Sequence, residues 1–553
     1  MAEPRGLLPV SGPHDAPLVL ADGVRLAGDL YRPDAPGRFP VLLMRQPYGR
    51  RIASTVVLAH PSWYAAHGYI VLVQDVRGRG DSGGTFRILS DDVDDGAASL
   101  AFAADLPGST GQVATYGFSY QAMTQLMALA GALRAGTKRP DAMAPAMGAW
   151  SVRDDWAFEG EAFRLAGGTG WAGQMGAEQA RLAGDRLAHH ALAGVARGTP
   201  WTEEQPALPQ ALAEHGRYAP HYEKWREDDR GAMERSSPAA ALAGRVPAIP
   251  GLFVGGWADF MLTGTLAMHA AFGAASPAGH RMTIGPWGHI PWNGAPGVLS
   301  FGPRASTGID TESIRFFDHH LKDRDATDPP VRLFDVGLGE FVSYEAWPSP
   351  EPTAFHLSSR GLAGTTITDG MLAPGPGEGP ADAVVHDPWR PAPAVGGHLG
   401  TPGGFADRSA VDERTDVAVY TSAPLPRDTL LAGPVCAALH VGCDRPSHDL
   451  HCALSFLPPR QDRAITLTTG ALHLRDAGTD GARVVPMRAV CATLRAGTRL
   501  RLSVQAAAFP AFPVNPGTGE PPPLAHPARA LVTTLHIRHD ARHPSRLLLP
   551  IAA

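Results

Sequence analysis

Short apolar runs alternate with helix-compatible stretches in the first part of the chain. Patterns typical of buried strands lie at 39–45, 69–75 and 112–116, and the third leads directly into a stretch compatible with a helix from Tyr120 to Arg134. An earlier segment, 18–31, alternates around a central Asp-Gly pair and predicts a hairpin. Short strands separated by helical stretches predict a parallel sheet covered on both faces.

The pattern changes between about 147 and 242, where Trp, Arg, Glu and Ala recur at helical spacing and strand runs are absent. Strand patterns resume at 249–256 and 280–285, so we expect the helical block to be a cap inserted over one end of the sheet. Beyond Asp-Pro-Pro at 328–330 the helices disappear, and strand-like runs separated by Pro and Gly predict an all-β sandwich or jelly roll. Those runs include 331–336, 416–420, 464–475 and 531–538.

These patterns divide the chain into four segments. We assign 1–146 and 243–345 to the two parts of an α/β core, 147–242 to a helical cap, and 346–553 to a jelly-roll β-sandwich domain. The stretch 371–404 is rich in Pro and Gly and is expected to form a long ordered loop.

The composition excludes some classes of binding partner. The 553 residues suggest about three or four domains. A net charge of −6, from 48 basic and 54 acidic residues, provides no basic field for nucleic acid or anionic lipid. Only three of the basic residues are lysine, which also removes polybasic lysine anchors.

Several features predict an intracellular protein. The four cysteines all fall in the last quarter of the chain and are interpreted as reduced thiols rather than a disulfide framework. The N-terminal residues lack a basic segment followed by a long apolar one, and no run of 18 apolar residues occurs, so neither a signal peptide nor a membrane span is expected. We therefore expect a cytoplasmic protein.

A serine lies where a predicted strand meets a predicted helix. In Gly117-Phe118-Ser119-Tyr120 the serine would occupy the sharp turn of a nucleophile elbow, with its hydroxyl exposed above the sheet edge. Small residues are needed around so crowded a turn, and Gly117 and Ala122 meet that need. The helix beginning at Tyr120 adds a positive dipole end and free N–H groups, which favour a developing oxyanion. An ordinary serine at a helix N-cap is the alternative.

Two later strands end in the residues that such a serine needs. Asp259 follows the strand at 249–256, and His289 follows the strand at 280–285. The chain order Ser, Asp, His is that of the α/β-hydrolase fold, and open sheets place their sites at the carboxyl ends of strands. A turn-forming aspartate and a solvated loop histidine are the alternatives. Asp75 is a competing acid, which we expect to pair with Arg77 instead.

Tyr48 is a candidate oxyanion donor. It follows the strand at 39–45, the position from which hydrolases supply their second oxyanion donor, and Pro47 holds Gln46 extended in a way that suits projection of the phenol. A packed loop tyrosine is the alternative.

Two other motifs are interpreted as lacking chemistry. Residues 78–83 (Gly-Arg-Gly-Asp-Ser-Gly) formally match a dinucleotide fingerprint, but acidic residues crowd the phosphate position, so a glycine-rich loop is expected. The His and Cys residues between 440 and 452 match no zinc spacing. We expect neither a cofactor nor a metal.

Together these residues resemble the CocE/NonD family of serine hydrolases, the cocaine-esterase-like acyl hydrolases related to X-Pro dipeptidyl peptidases. The resemblance covers nearly the whole chain. It rests on Gln-Pro-Tyr at 46–48, GYIVLVQDVRGRGDSGG at 68–84, YGFSY at 116–120, GGWAD at 255–259, GPWGH at 285–289, PPVRLF at 329–334 and FPAFPVNPGTG at 509–519.

The resemblance implies an α/β-hydrolase core with an inserted helical cap and a C-terminal jelly roll. It also implies Ser119 as nucleophile, His289 as base and Asp259 as its partner, with the Tyr48 hydroxyl and the Tyr120 backbone N–H as oxyanion hole. Family members often line the acyl pocket with cap tryptophans. The corresponding candidates here are Trp156 and Trp171, with Phe260 as a third, although packing of cap helices is an equal alternative for the tryptophans.

Two departures from the family bear on substrate. Gln121 and Ala122 stand where members commonly have an apolar residue and a glycine, and Gln121 could alter packing behind the elbow. Amino-ester hydrolases of the family hold the substrate ammonium with a carboxylate cluster. Carboxylates occur in a plausible cap segment, although helical surface charge explains them as well; they are Asp154, Asp155, Glu159 and Glu161.

The sequence thus predicts a serine hydrolase that cleaves an ester or amide bond of a small acyl substrate through an acyl-enzyme. The alternatives are an acyltransferase, an amino-acid ester or amide hydrolase, and a non-catalytic binding protein that uses the jelly roll. The expected partner is a small molecule, with neither nucleic acid nor membrane. Many relatives self-associate, so a homo-oligomer is an open alternative.

Overall fold

The computed structural model describes residues 6–52, 55–198, 207–276, 279–306, 308–325, 327–475 and 481–552. A ten-stranded sheet runs through the first 344 residues in the order β1-β4-β6-β5-β7-β8-β11-β12-β13-β14. Its strands are β1 (Val10–Asp15), β4 (Gly28–Pro33), β5 (Phe39–Gln46), β6 (Ile70–Asp75), β7 (Ser109–Phe118), β8 (Ala142–Ala146), β11 (Gly251–Ala258), β12 (His280–Gly288), β13 (Val331–Asp335) and β14 (Glu340–Tyr344). From β6 to β13 neighbouring strands are parallel, and the two ends of the sheet are antiparallel.

Helices cover both faces of this sheet. Successive residues of each strand point to opposite faces, so a buried strand gives apolar side chains to both helical layers. In β6, Ile70 and Leu72 pack beneath α2 (Asp92–Ala104) and α3 (Tyr120–Ala135). Val71 and Val73 pack beneath α1 (Pro61–Ala66) and α11 (Ile309–Lys322) on the other face. Further along the sheet, α10 (Leu262–Ala275) joins α3. The predicted doubly covered parallel sheet is confirmed, as is the hairpin of β2 (Leu18–Val19) and β3 (Arg25–Leu26).

Six α-helices lie in the described part of the block inserted between β8 and β11. They are α4 (Leu165–Leu182), α5 (Arg186–Arg197), α6 (Gln210–His215), α7 (Pro220–Arg226), α8 (Arg230–Arg235) and α9 (Pro238–Leu242). The expectation that strands are absent here is wrong in one place. A π-helical turn (Val152–Ala157) leads into a two-stranded ribbon of β9 (Phe158–Glu159) and β10 (Ala162–Phe163), too short to leave a period-two signal.

Eleven strands, antiparallel except for one pair, form the C-terminal part. They are β15 (Thr353–Ser358), β16 (Gly370–Ala373), β17 (Asp382–His386), β18 (Val417–Ser422), β19 (Thr429–Cys443), β20 (His448–Leu457), β21 (Ile465–Leu474), β22 (Ala482–Leu494), β23 (Arg499–Gln505), β24 (Thr533–Arg538) and β25 (Arg546–Leu549). A single helical turn, α12 (Ser409–Asp412), interrupts them. Short 3₁₀ turns also lie at Gly216–Tyr218, Gly302–Ala305 and Pro527–Arg529.

Two predictions for the C-terminal region need correction. The run at 331–336 is grouped with the strands of the all-β region by its pattern, whereas the division at 345 assigns it to the α/β core. In the structure it forms β13, which pairs in parallel with β12 and so extends the core sheet. The stretch 371–404 contains most of β16 and all of β17 as well as irregular chain. An apolar strand pattern in the sequence indicates that the strand is buried, but it does not indicate which sheet the strand joins. Among the described helices, none combines the length and apolarity needed to cross a bilayer.

The close approach of α2 and α3 generates a stability prediction. A Cβ on Gly131 of α3 would lie 1.9 Å from the carbonyl oxygen of Val93 in α2. Gly131→Ala should therefore lower stability by about 1–3 kcal/mol, since the backbones must separate, although Ala is the better helix former by about 1 kcal/mol. In α5, a Cβ on Gly194 meets no described atom within 4 Å, so Gly194→Ala should raise the midpoint of thermal unfolding. An unchanged or raised midpoint for Gly131→Ala would contradict the packing.

Candidate active site

Ser119 occupies a strained turn between β7 and α3. Its backbone has φ 61° and ψ −125°, a region that side chains other than glycine rarely adopt. The turn is held by two hydrogen bonds, from the Ser119 N–H to the Ala146 carbonyl at 2.8 Å and from the Phe118 N–H to Gln121 Oε1 at 3.1 Å. A Cβ on Gly117 would lie 2.5 Å from the Cβ of Gln121, so Gln121 fills the space behind the elbow. The Ser119 side chain makes no capping hydrogen bond to its helix.

Three side chains from separate loops meet in series at this turn. His289 Nε2 lies 2.9 Å from Ser119 Oγ, and His289 Nδ1 lies 2.8 Å from Asp259 Oδ1. Asp259 is fully buried and, as a carboxylate, accepts a hydrogen bond from the Nδ1–H group of His289. In that tautomer Nε2 is the acceptor of the serine hydroxyl. The predicted serine, histidine and aspartate are therefore brought together, in the arrangement that activates a serine nucleophile.

Asp75, the competing acid, is bound elsewhere. Its carboxylate pairs with Arg50 at 2.7 Å, whereas Arg77 pairs with Asp95 at 2.7 Å, so the expected Asp75–Arg77 pair is wrong. The glycine-rich loop at 78–83 folds around Asp75, where a Cβ on Gly80 would lie 2.1 Å from Oδ2. Gly80 is thus explained by close packing on a buried carboxylate.

Tyr48 faces Ser119 from the loop that follows β5. Its backbone N–H is held by the side-chain carbonyl of Gln46 at 3.0 Å. Burial raises the pKa of the Tyr48 phenol, and hydrogen bonds with Trp171 and Ser119 oppose that rise only in part. The indole N–H of Trp171 donates to the phenol oxygen at 3.3 Å. Tyr48 therefore remains a protonated donor beside the serine.

Tyr120 contributes through its backbone. Its N–H opens α3, and the first N–H groups of a helix have no intrahelical acceptor. Its buried hydroxyl is occupied in the core, where it donates to Asp92 at 3.0 Å and accepts the Leu89 N–H at 2.8 Å.

Several aromatic rings lie near these groups or pack against one another beside them. Trp156 and Trp171 pack edge to face with ring centres 4.5 Å apart, and Phe260 lies 4.5 Å from the His289 ring. The sequence did not single out Trp225, which stacks on Trp171 at 5.7 Å and 7°. It also missed Trp292, whose indole N–H donates to the His289 carbonyl at 3.1 Å. Trp292 lies three residues after the predicted histidine, and this short spacing was the signal that could have identified it.

The four cap carboxylates are already engaged within the protein. Asp154 and Glu161 pair with Arg153 at 2.9 and 2.7 Å. Asp155 accepts the backbone N–H groups of Trp150 and Ser151 at 3.0 and 2.8 Å. Glu159 lies in a buried ion cluster with Arg164 and Arg488, each at 3.2 Å. They therefore do not form an open site for a substrate ammonium.

Comparison with known proteins agrees with this architecture. Residues 22–291 match the model of the X-Pro dipeptidyl-peptidase (S15 family), and 325–548 match that of the X-Pro dipeptidyl-peptidase C-terminal non-catalytic domain. The cocaine esterase of Rhodococcus sp. (strain MB1 Bresler) is 30% identical over 575 aligned positions, covering 96% of this chain and 97% of the relative.

Two solved structures share the fold over their whole length. An aminopeptidase from the marine sediment archaeon Thaumarchaeota archaeon superposes with a TM-score of 0.78 at 20% identity, covering 99% of this chain and 97% of the other. An α-amino acid ester hydrolase superposes with a TM-score of 0.76 at 20% identity, covering 98% and 97%. At this identity the similarity establishes the fold, an α/β-hydrolase core with a C-terminal all-β domain.

Proposed function

We propose that this chain, which belongs to the cocaine esterase and X-Pro dipeptidyl-peptidase (S15) family of serine hydrolases, is a carboxylesterase for substrates with a small acyl group that carries no free amine. One observation carries the proposal: the contacts from Ser119 to His289 and from His289 to Asp259, at 2.9 and 2.8 Å. The name of the cocaine esterase relative supports ester rather than amide cleavage.

In the proposed mechanism, His289 Nε2 takes the hydroxyl proton of Ser119 as Oγ attacks the ester carbonyl. Asp259 stabilises the imidazolium that forms. The tetrahedral intermediate then collapses, and His289 returns the proton to the departing alcohol. Water, activated in the same way by His289, attacks the acyl-enzyme and releases the carboxylic acid.

The oxyanion of each tetrahedral intermediate is proposed to be stabilised by the Tyr48 hydroxyl and the Tyr120 N–H. The raised pKa of Tyr48 supports this role, because a donor must keep its proton through the working pH range. The helix dipole of α3 adds to the positive potential at the same place.

The engaged cap carboxylates favour an acyl group without an ammonium. An ammonium placed in a site walled by Trp156, Trp171 and Phe260 would be desolvated without a free carboxylate to pair with, which is costly. Glu159 is buried and is paired with two arginine residues. This distinguishes the proposal from its runner-up, hydrolysis of amino-acid esters or amides.

Covalent labelling tests the nucleophile. A fluorophosphonate should label the wild-type protein once, and Ser119→Ala should abolish the label. The chain offers a matched control in Ser359, a buried serine whose Oγ lies 2.8 Å from His539 Nε2 and 2.8 Å from Asp382. Ser359→Ala should label as the wild type does. Persistent labelling of Ser119→Ala would contradict the proposal, and absence of label on the wild type would favour a non-catalytic binder.

Removal of the Tyr48 hydroxyl tests the oxyanion hole. Tyr48→Phe should lower kcat by roughly 10²–10³, because loss of one oxyanion donor costs about 3–4 kcal/mol in the transition state, while KM and the unfolding midpoint change little. The control is Tyr218→Phe, since Tyr218 donates to Asp185 on the cap surface, and its kcat should stay at the wild-type value. A wild-type kcat for Tyr48→Phe would remove Tyr48 from the mechanism.

A paired substrate panel tests the acyl preference. We expect kcat/KM for p-nitrophenyl butyrate to exceed that for p-nitrophenyl 2-aminobutyrate by about tenfold or more, as an unpaired desolvated ammonium implies, with the corresponding anilides slower still. A preference for the amino ester would establish the runner-up instead. Accumulation of acylated product with added amines or alcohols, at the expense of free acid, would indicate an acyltransferase.

A further inference from the structure

A buried ion cluster joins the cap, the core and the all-β domain next to the candidate active site. Its members are Glu159 of β9, Arg164 before α4, His398 and Arg488 of β22. The two arginine residues are 2% and 4% exposed, and the other two side chains are also buried. Charged groups are rarely taken so far from water unless each one is paired, so the arrangement of their partners matters.

Glu159 Oε2 is the acceptor at the centre of this cluster. It receives His398 Nε2 at 2.6 Å and one guanidinium nitrogen each from Arg164 and Arg488 at 3.2 Å. Burial opposes ionisation of Glu159, but His398 and the two guanidinium groups outweigh burial and lower its pKa. Burial, assisted by Arg488, lowers the pKa of His398 to about 4, so the ring is neutral and its Nδ1 can accept the Thr469 hydroxyl at 3.2 Å.

Both arginine residues also donate to the main-chain carbonyl of Phe260. Arg164 Nη1 lies 3.1 Å and Arg488 Nη2 lies 3.0 Å from that oxygen. Arg488 Nη1 donates in addition to Thr263 Oγ1 at 2.7 Å, in the first turn of α10. Arg488, a side chain of the all-β domain, thus binds both the loop between β11 and α10 and the first turn of α10.

That loop carries two groups of the candidate site. Asp259, immediately before Phe260, holds His289 Nδ1 at 2.8 Å. The Phe260 ring lies 4.5 Å from the imidazole. A displacement of the Phe260 peptide would therefore move both the Asp259 carboxylate and the Phe260 ring that packs against the imidazole.

We propose that Arg488 is a positioning residue for His289, acting through the Phe260 carbonyl, with Arg164 as its counterpart from the cap. The inference rests on the proposed function, since it assigns a task to His289. It gives the all-β domain, whose family model is described as non-catalytic, a direct part in the geometry of the reaction. Charge-assisted donors hold an acceptor in a narrower range of positions than neutral ones, and a displacement of about 1 Å near reacting groups can cost about 10²-fold in rate.

The test compares Arg488→Met and Arg488→Lys with a buried arginine of the same domain. Arg501 is 6% exposed and contacts Asp412 at 3.5 Å and Thr421 at 3.0 Å, so Arg501→Met disturbs the domain without touching the Phe260 loop. Two quantities are measured per folded molecule, the fluorophosphonate labelling rate constant and kcat for p-nitrophenyl butyrate. Labelling reports the serine–histidine unit without depending on recognition of the ester.

Arg488→Met should slow labelling and kcat together by about 10- to 100-fold, within the range set by misplacement of a reacting group. Arg488→Lys, which keeps the charge and one donor position, should recover part of the loss. Arg501→Met should lower the unfolding midpoint and leave both rates at the wild-type value. Wild-type rates for folded Arg488→Met would overturn the inference, as would an equal loss in Arg501→Met.

Two further variants separate a positioning role from a folding role. Thr263→Val leaves Arg488 in place but removes one acceptor, and should slow labelling by a few fold even if Arg488→Met does not fold. In a double-mutant cycle with Thr263→Val, Arg488→Met should cost less than in the wild type, because the contact between these two side chains is already lost. Additive effects would overturn the inference. Wild-type labelling at a residue other than Ser119 would instead refute the proposed function.

Discussion

The backbone of Ser119 is the constraint on which the site depends. Holding a serine at φ 61° costs about 1–3 kcal/mol and persists only where the surroundings over-determine it. Here they do so from both sides, because β7 and α3 are buried along their adjoining parts and Gln121 closes the space behind the turn. The same turn ends a strand and starts a helix, so strain at one residue places the hydroxyl above the sheet edge and an N–H beside it.

Arginine dominates the electrostatics around this turn. The chain has only three lysines among its 48 basic residues, and several buried carboxylates near the site are held by guanidinium groups, as in Arg50 with Asp75 and Arg45 with Asp92 at 3.0 Å. A planar guanidinium can satisfy several acceptors at once and is less strongly hydrated than an ammonium, which suits it to buried positions. The four cap carboxylates are engaged within the protein, and the proposed preference for an acyl group without an ammonium depends on this.

The sequence predicted the core strands that carry the site residues, because the apolar pattern that indicates burial lies within each strand itself. The positions of Ser119, Asp259 and His289 follow from that, since the carboxyl ends of parallel strands share one edge of a sheet. Partner choice over long distances was not predictable in the same way. Asp75 pairs with Arg50 rather than with the nearby Arg77, because the path of the intervening loops decides which guanidinium arrives. The contact of Arg488 with Phe260 spans 228 positions of the chain and leaves no local pattern.

The polar groups of the site form short hydrogen-bonded chains. An indole N–H can only donate, so the phenol oxygen of Tyr48 accepts from Trp171. In the other chain the Ser119 hydroxyl points to His289, and the imidazole N–H points to Asp259. In the proposed mechanism a negative oxygen forms when Ser119 Oγ bonds to the substrate carbon. The Tyr48 hydroxyl, whose oxygen already accepts from Trp171, keeps its proton for that oxygen. A donor held in place in the free protein does not have to reorient as the charge forms, which is the condition under which oxyanion stabilisation is strongest.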